Sequence, residues 1–263
     1  MQAPLLIAFA LLTISVAQFT TAADPEQAPC VDERGCPDLI TDSASLLVGQ
    51  QGTESFGANS CPVQEGSIQA GNRQIIRVSF TFGNAGLGDL ILGAPSDHPD
   101  WYEWDPCHRH FHVKEHATFR LWTPDGFLAW DALRTADPDA TADEVLAANP
   151  ELVDEMVVGK KQGFCVVSQE PLPPNLNGAA LTVDAVPEHN QFLNGDVCGE
   201  NQGQDPGWAD TYAEFQDGMW VDVTDVPTGA YVLEGEMNAN HFIEELSYAN
   251  NRAFVPMAVV ANL

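Results

Sequence analysis

The sequence predicts a mainly β fold: an antiparallel, sandwich-like domain with long loops, a short acidic helical insertion and disulfide staples. Three observations carry this. Short runs rich in Val, Ile, Phe and Trp recur between turn signals. Residues 139–158 differ in kind, with Ala, Glu, Leu and Met dominant, and read as one or two short helices. Six cysteines follow an export-type N-terminus, and an even count there reads as disulfides, in any of fifteen connectivities.

Taken in order, Pro4 to Ala17 is an apolar run relieved only by Thr13 and Ser15, about as long as a signal-peptide core and short for a membrane span. Cleavage after Ala17 or near Ala22 and Ala23 makes residues 1–23 a signal peptide and 24–263 the mature domain, with no membrane attachment afterwards. Residues 24 to 72 are loop-rich. Arg73 to Phe82 alternates as a strand, Gly83 to Gly86 turns, and Asp89 to Leu92 is a short strand. His108 to Trp122 reads as extended, with a hairpin at Pro124-Asp125-Gly126 leading to Phe127–Trp130. After the acidic helices, Gly163–Val167, Ala180–Val186, Met219–Val223, Ala230–Glu236 and Ala253–Val260 are further strands, with Pro227-Thr228-Gly229 a turn. No internal repeat and no dividing linker appears along the 263 residues.

Charge narrows the function. Lys plus Arg total 10 against 38 Asp plus Glu, a formal net charge of -28. Nucleic-acid binding needs clustered Lys and Arg and is excluded on that ground, as is an anionic membrane surface. With 44% hydrophobic residues the chain is no disordered acidic tail. An acid excess of this size keeps a surface hydrated in strong salt, the halophilic reading, and attracts cationic substrates.

The strongest chemical signal is Cys107-His108-Arg109-His110-Phe111-His112. On a strand, His108, His110 and His112 share one face, with neighbouring Cα atoms roughly 6.5 to 7 Å apart. Three imidazoles with no fourth protein ligand describe an open, catalytic metal site. Imidazole suits copper and zinc, and raw affinity favours Cu(II). His116 is a fourth ligand, a supporting partner or a surface residue, while His98, His189 and His241 sit in no local pattern. The chain has three lysines, Lys114, Lys160 and Lys161, and two stand side by side. They either balance the acidic helices or include an amine made nucleophilic by desolvation and a neighbouring metal.

At this point the sequence resembles the lysyl oxidases, in particular their bacterial and archaeal members, in motif order from Pro37 to about Val260. The motifs are Cys36-Pro37-Asp38-Leu39-Ile40, Gly83-Asn84-Ala85-Gly86-Leu87-Gly88-Asp89-Leu90, Trp104 to His112, Gly159 to Cys165, Gly207 to Tyr212, Trp220 to Val226 and Tyr248-Ala249-Asn250-Asn251. The resemblance implies a copper(II) amine oxidase carrying a self-derived lysine tyrosylquinone. His108, His110 and His112 match its copper ligands, and Lys161 and Tyr212 match the two residues that crosslink. Its substrates are primary amines (lysine side chains, polyamines or small amines) and dioxygen; its products are aldehyde, ammonia and hydrogen peroxide. Asp210, two before Tyr212, is a candidate catalytic base.

The resemblance further implies disulfides Cys30–Cys36, Cys61–Cys107 and Cys165–Cys198, a secreted destination (extracellular, periplasmic or cell-surface), and a calcium site at Asp38, Glu245, Asn250 and Asn251. Departures accompany it. Phe119 stands where animal members have a further His, Trp208 where they have Cys, and Ser247 replaces an acid of the calcium loop. Two other readings use the same histidines: a zinc-dependent hydrolase, and a non-enzymatic metal-binding surface module.

Overall fold

The computed structural model describes residues 35–41, 43–159, 164–173, 192, 198 and 201–260. Its elements in chain order are β1 (Leu39–Ile40), β2 (Leu46–Phe56), α1 (Cys61–Gln64), β3 (Gly71–Asn84), β4 (Leu90–Gly93), β5 (Tyr102–Asp105), β6 (His110–Val113) and β7 (Ala117–Trp122). Then follow α2 (Pro124–Ala136), α3 (Ala142–Ala148), a 3-10 turn (Pro150–Glu155), β8 (Met156–Val158), β9 (Glu170–Pro171), β10 (Gln202–Gln204), β11 (Trp208–Tyr212), β12 (Trp220–Asp222), β13 (Gly229–Met237) and β14 (Arg252–Val259). The fold is mainly β and antiparallel, as the alternating runs require.

β3 organises one sheet. Its alternating Ile, Val and Phe residues bury one face, and both of its edges are used. β1 and β2 pair along one edge; β11 and β12 pair along the other. A second sheet runs β14-β13-β7-β8. The two meet through Phe80, which packs edge-on to Phe119 of β7 with ring centroids 5.3 Å apart. Gly235 of β13 is required there, because a Cβ would press on the Phe80 ring. Phe80, Phe82, Phe119, Leu121, Leu233 and Ala253 are all within 1% of full burial. Truncating one such Phe to Ala costs about 3–5 kcal/mol.

Four local readings differ from expectation, the first being Gly163–Val167, expected as a strand, whose described residues make only the isolated Phe164–Val113 bridge. Residues 24–72 were expected to be loop, yet β2 is an eleven-residue strand. Gly49, Gln50, Gln51 and Gly52 interrupt its apolar alternation, and it is held by backbone pairing to β3, with a bulge between Val48 and Gln51. Pro124-Asp125-Gly126 is no hairpin: it opens α2, with Thr123 as N-cap accepting from the Gly126 N–H at 3.1 Å and Pro124 at the first turn. The helical segment expected over 139–158 holds α3, closed by a Thr141–Glu144 capping box, but Met156–Val158 is a strand paired with β7. Cys61–Cys107 and Cys165–Cys198 are bridged, with Cα atoms 5.6 and 5.4 Å apart. Cys30, residues 1–23 and Ala180–Val186 lie outside the described residues.

The helices dock through a buried charge network. Arg120 donates to Glu236 at 2.5 Å, Arg134 to Glu236 at 2.6 Å and Arg252 to Glu234 at 2.7 Å, and the indoles of Trp122 and Trp130 also donate to Glu234. Arg73 and Arg77 are likewise paired, with Asp222 and Glu54. Among the described residues, five arginines are therefore paired with the chain's own acids.

Candidate functional site

The three histidines converge, though by a different route from simple alternation. His110 and His112 sit two apart on β6, on one face. His108 lies in the turn between β5 and β6, where Arg109 takes φ 61, and that turn swings its ring back toward the other two. Ligand atoms of the three lie within 4.8 Å of one another. The Nε2 atoms of His110 and His112 are 3.0 Å apart. Two nitrogens about 2.0 Å from one ion stand roughly 2.8 to 3.3 Å apart, so the pair has the spacing a shared metal needs.

Asp105 orients them. Its carboxylate accepts from the backbone N–H of Cys107 at 2.8 Å and of His108 at 3.0 Å, from His108 Nδ1 at 2.9 Å, and faces His112 Nδ1 at 3.5 Å. Burial raises its proton affinity, but those backbone donors and the two imidazoles outweigh it and hold the carboxyl below its ordinary range. Nδ1 of His108 and His112 is thereby engaged, and Nε2 is the atom each ring would offer a metal. Sequence reading missed Asp105, although Asp-Pro-Cys-His is an Asx-type turn whose acid caps the N–H groups two and three residues on.

Tyr212 comes to the same place from β11, opposite Phe80. Phe164 packs edge-on to its ring at 4.6 Å and Phe82 lies parallel at 6.3 Å. Its hydroxyl donates to the Cys165 carbonyl at 2.6 Å and accepts from the Cys165 N–H at 3.0 Å. Burial and the Asp210 carboxylate push the phenol above its ordinary value, against the Cys165 N–H. The Cys165 segment is fixed to the histidine strand by two backbone bonds between Val113 and Phe164, at 2.7 and 3.2 Å. His108, His110, His112, Cys165, Tyr212, Gln216 and Asp217 line one cavity of about 280 Å³.

The remaining expected residues distribute as follows. Lys161 lies outside the described residues, between Gly159 and Phe164, which are both placed. Asp210 shares the Tyr212 face of β11 but is fully buried and does not line the cavity. Its Oδ2 accepts from the Val167 N–H at 3.3 Å, while Oδ1 has no partner among the described residues, and burial raises its pKa well above the usual carboxylate range. His116 is no ligand: its ring is in the core, edge-on to Phe82 at 4.9 Å. Asp38, Glu245, Asn250 and Asn251 do gather, where the N-terminal segment meets the β13–β14 connection. Asn250 Nδ2 donates to both Asp38 oxygens at 3.2 Å; Glu245 accepts from Asn251, Asn238 and the Leu39 N–H at 2.6 to 2.7 Å. The Asn250 and Asn251 amide oxygens are buried without a partner among the described residues, so an all-oxygen set suited to calcium is close at hand.

Comparison with known proteins follows the same lines. A family model described as lysyl oxidase matches residues 187–260. Protein-lysine 6-oxidase of Gallus gallus is 25% identical over 231 residues, covering 82% of this chain and 44% of that protein. That of Rattus norvegicus is 26% identical, covering 82% and 45%. Lysyl oxidase homolog 1 of Homo sapiens is 25% identical over 234 residues, covering 85% of this chain and 33% of that protein. The chain thus spans less than half the length of these relatives.

Proposed function

We propose that this chain, similar to the lysyl oxidases over most of its length, is a member of that family and a secreted amine oxidase holding copper on His108, His110 and His112 and a quinone made from Lys161 and Tyr212. The observation that carries the reading is the shared cavity: three imidazoles and the Tyr212 ring line one space of about 280 Å³. Four residues of chain span at most about 14 Å, and Cys165, four after Lys161, is among the lining residues. When bound, the copper and the quinone supply oxidation of a primary amine to an aldehyde by dioxygen, with release of ammonia and hydrogen peroxide.

The chain's own residues have separate tasks. Asp105 engages Nδ1 of His108 and His112 and so presents Nε2. The donor set of three neutral imidazoles fits copper, and its affinity order favours Cu(II) over zinc. Phe82 and Phe164 pack on the Tyr212 ring and fix its position at the cavity wall. Asp210, two residues before Tyr212 on the same face of β11, is the proposed acceptor of the substrate's α-proton, and burial raises its proton affinity above that of an ordinary carboxylate. Calcium at Asp38, Glu245, Asn250 and Asn251 is proposed as a structural ion. It would tie the N-terminal segment to the β13–β14 connection and would raise the melting temperature.

Export through the N-terminal apolar run is part of the proposal; among the described residues no helix is long and apolar enough to cross a membrane. The test is peptide mass spectrometry of protein loaded with copper in air, together with peroxide release from n-butylamine. A Lys161–Tyr212 crosslink in the parent and none in Lys161→Ala supports the reading. Activity that persists without dioxygen selects the zinc hydrolase, and bound metal without crosslink or turnover selects the non-enzymatic module.

A further inference from the structure

We propose that Asp217 is the group that receives the substrate's ammonium in the cavity of the three histidines; this rests on the amine-oxidising reading above. Asp217 is the one acidic side chain among the described residues lining that cavity, beside three imidazoles, a phenol, an amide and Cys165. An alkylammonium leaving water needs a compensating anion or acceptor, because an unpaired charge in a cavity is costly. Three other carboxylates stand nearby, and none of them lines the cavity: Glu65, within 4.8 Å of Asp105 and His108, Asp105 itself and Asp210. Asp105 is buried under backbone and imidazole donors, and Asp210 is buried and accepts from the Val167 N–H. Asp217 is different: its side chain is 56% exposed and its Oδ2 stands 4.0 Å from His108 Nε2, beyond hydrogen-bond reach. It therefore faces the cavity with its oxygens open to a cation.

The loop that carries it is built for position. Residues 213–219 join β11, which bears Tyr212, to β12. Arg77 donates through Nη1 to the carbonyls of Glu214 at 3.0 Å and Gln216 at 3.4 Å. The same guanidinium is clamped by both oxygens of Glu54, at 2.8 and 2.6 Å, and lies over the Trp220 ring at 4.9 Å. The Ser79 hydroxyl accepts from the Glu214 N–H at 2.9 Å, and the Gln216 side chain accepts from the Ala213 N–H at 2.5 Å. Gly218, at φ 81, lets the chain turn directly after Asp217 into β12. Gly49 gives the loop room, since a Cβ there would overlap the Glu214 carboxylate. Asp217 is thus set five residues from Tyr212 on a braced turn, as a specificity residue for primary alkylammonium ions.

The experiment uses the full chain, copper-loaded in air, as parent, Asp217→Asn and Asp217→Glu. For Asn we expect KM for n-butylamine to rise about tenfold or more, the loss of one charge-assisted contact, with kcat falling by less than KM rises and Glu recovering part of the affinity. Reaction with phenylhydrazine, uncharged at neutral pH, reports the quinone without using Asp217, so its adduct and the copper content should match the parent. An unchanged KM overturns the proposal, as does copper lost from the Asn variant, which would make Asp217 a metal ligand. A parent that forms no hydrazine adduct sinks the oxidase reading instead. The ammonium site is then judged by ligand-observed NMR of n-butylammonium: weaker binding to Asn than to the parent supports it, and equal binding overturns it.

Discussion

The hydroxyl of Tyr212 is held twice by one residue, donating to the Cys165 carbonyl at 2.6 Å and accepting from the Cys165 N–H at 3.0 Å. The two lie 47 positions apart, and Cys165 is itself bridged to Cys198. The contact joins the strand bearing the phenol to the segment that follows Lys161, so structure and proposed chemistry depend on the same pair of bonds.

Tyr212→Phe removes both bonds and leaves the Cys165 N–H and carbonyl without their partner. The expected loss is about 1–3 kcal/mol in chemical denaturation, with no crosslinked peptide and no hydrazine adduct. A variant as stable as the parent would mean that the Cys165 groups find other partners.

Asp105→Asn keeps the shape but puts a donor where two imidazoles need an acceptor. Metal affinity should fall about 10–100-fold, read by competition with a chromogenic chelator. Circular dichroism should show the fold retained. Undiminished affinity would show that the histidines orient without the carboxylate.

His116 predicts an acid sensitivity. Its ring is fully buried, neither nitrogen has a partner among the described residues, and burial pushes its pKa from the usual 6.5 down to about 3. The unfolded chain binds the proton first, so between pH 6.5 and 3 it holds more protons than the folded chain. Stability present above pH 6.5 is therefore lost as pH falls through this window, at up to about 1.4 kcal/mol per pH unit. His116→Leu should flatten that slope and be neutral or stabilising at pH 7; urea melts at several pH values would measure both.

Glu234 tests the buried network. It accepts from Arg120, Arg252, Trp122 and Trp130. Glu234→Ala strands these donors and should cost about 3–5 kcal/mol, seen as a large drop in melting temperature with metal binding retained in the folded fraction. A small effect would mean that water replaces the carboxylate.

Some of this was legible in the residues and some was not. Alternation of Ile, Val and Phe revealed β3, β13 and β14, because a half-buried strand writes its period into local composition. β2 escaped because it is largely exposed, with its ladder bonds made by backbone whatever the side chains. α2 was misread because Pro-Asp-Gly serves both a turn and a capped helix start, and the docking of Trp130 and Arg134 under the sheet decides between them. Spacing revealed the histidines, but the turn that brings in His108 and the acid that orients it depend on the pairing of β5 with β6.

By itself the sequence determined the β class, the acidic surface, the imidazole set and the motif order of a family. Those are properties of neighbours along the chain, or of composition. Tertiary structure alone decided that Tyr212 meets Cys165, that Asp210 is buried while Asp217 lines the cavity, and that His116 belongs to the core. Such facts join residues far apart in the chain, or turn on which side of a strand or loop meets the interior. They are settled when the whole core packs at once, and no local pattern records them.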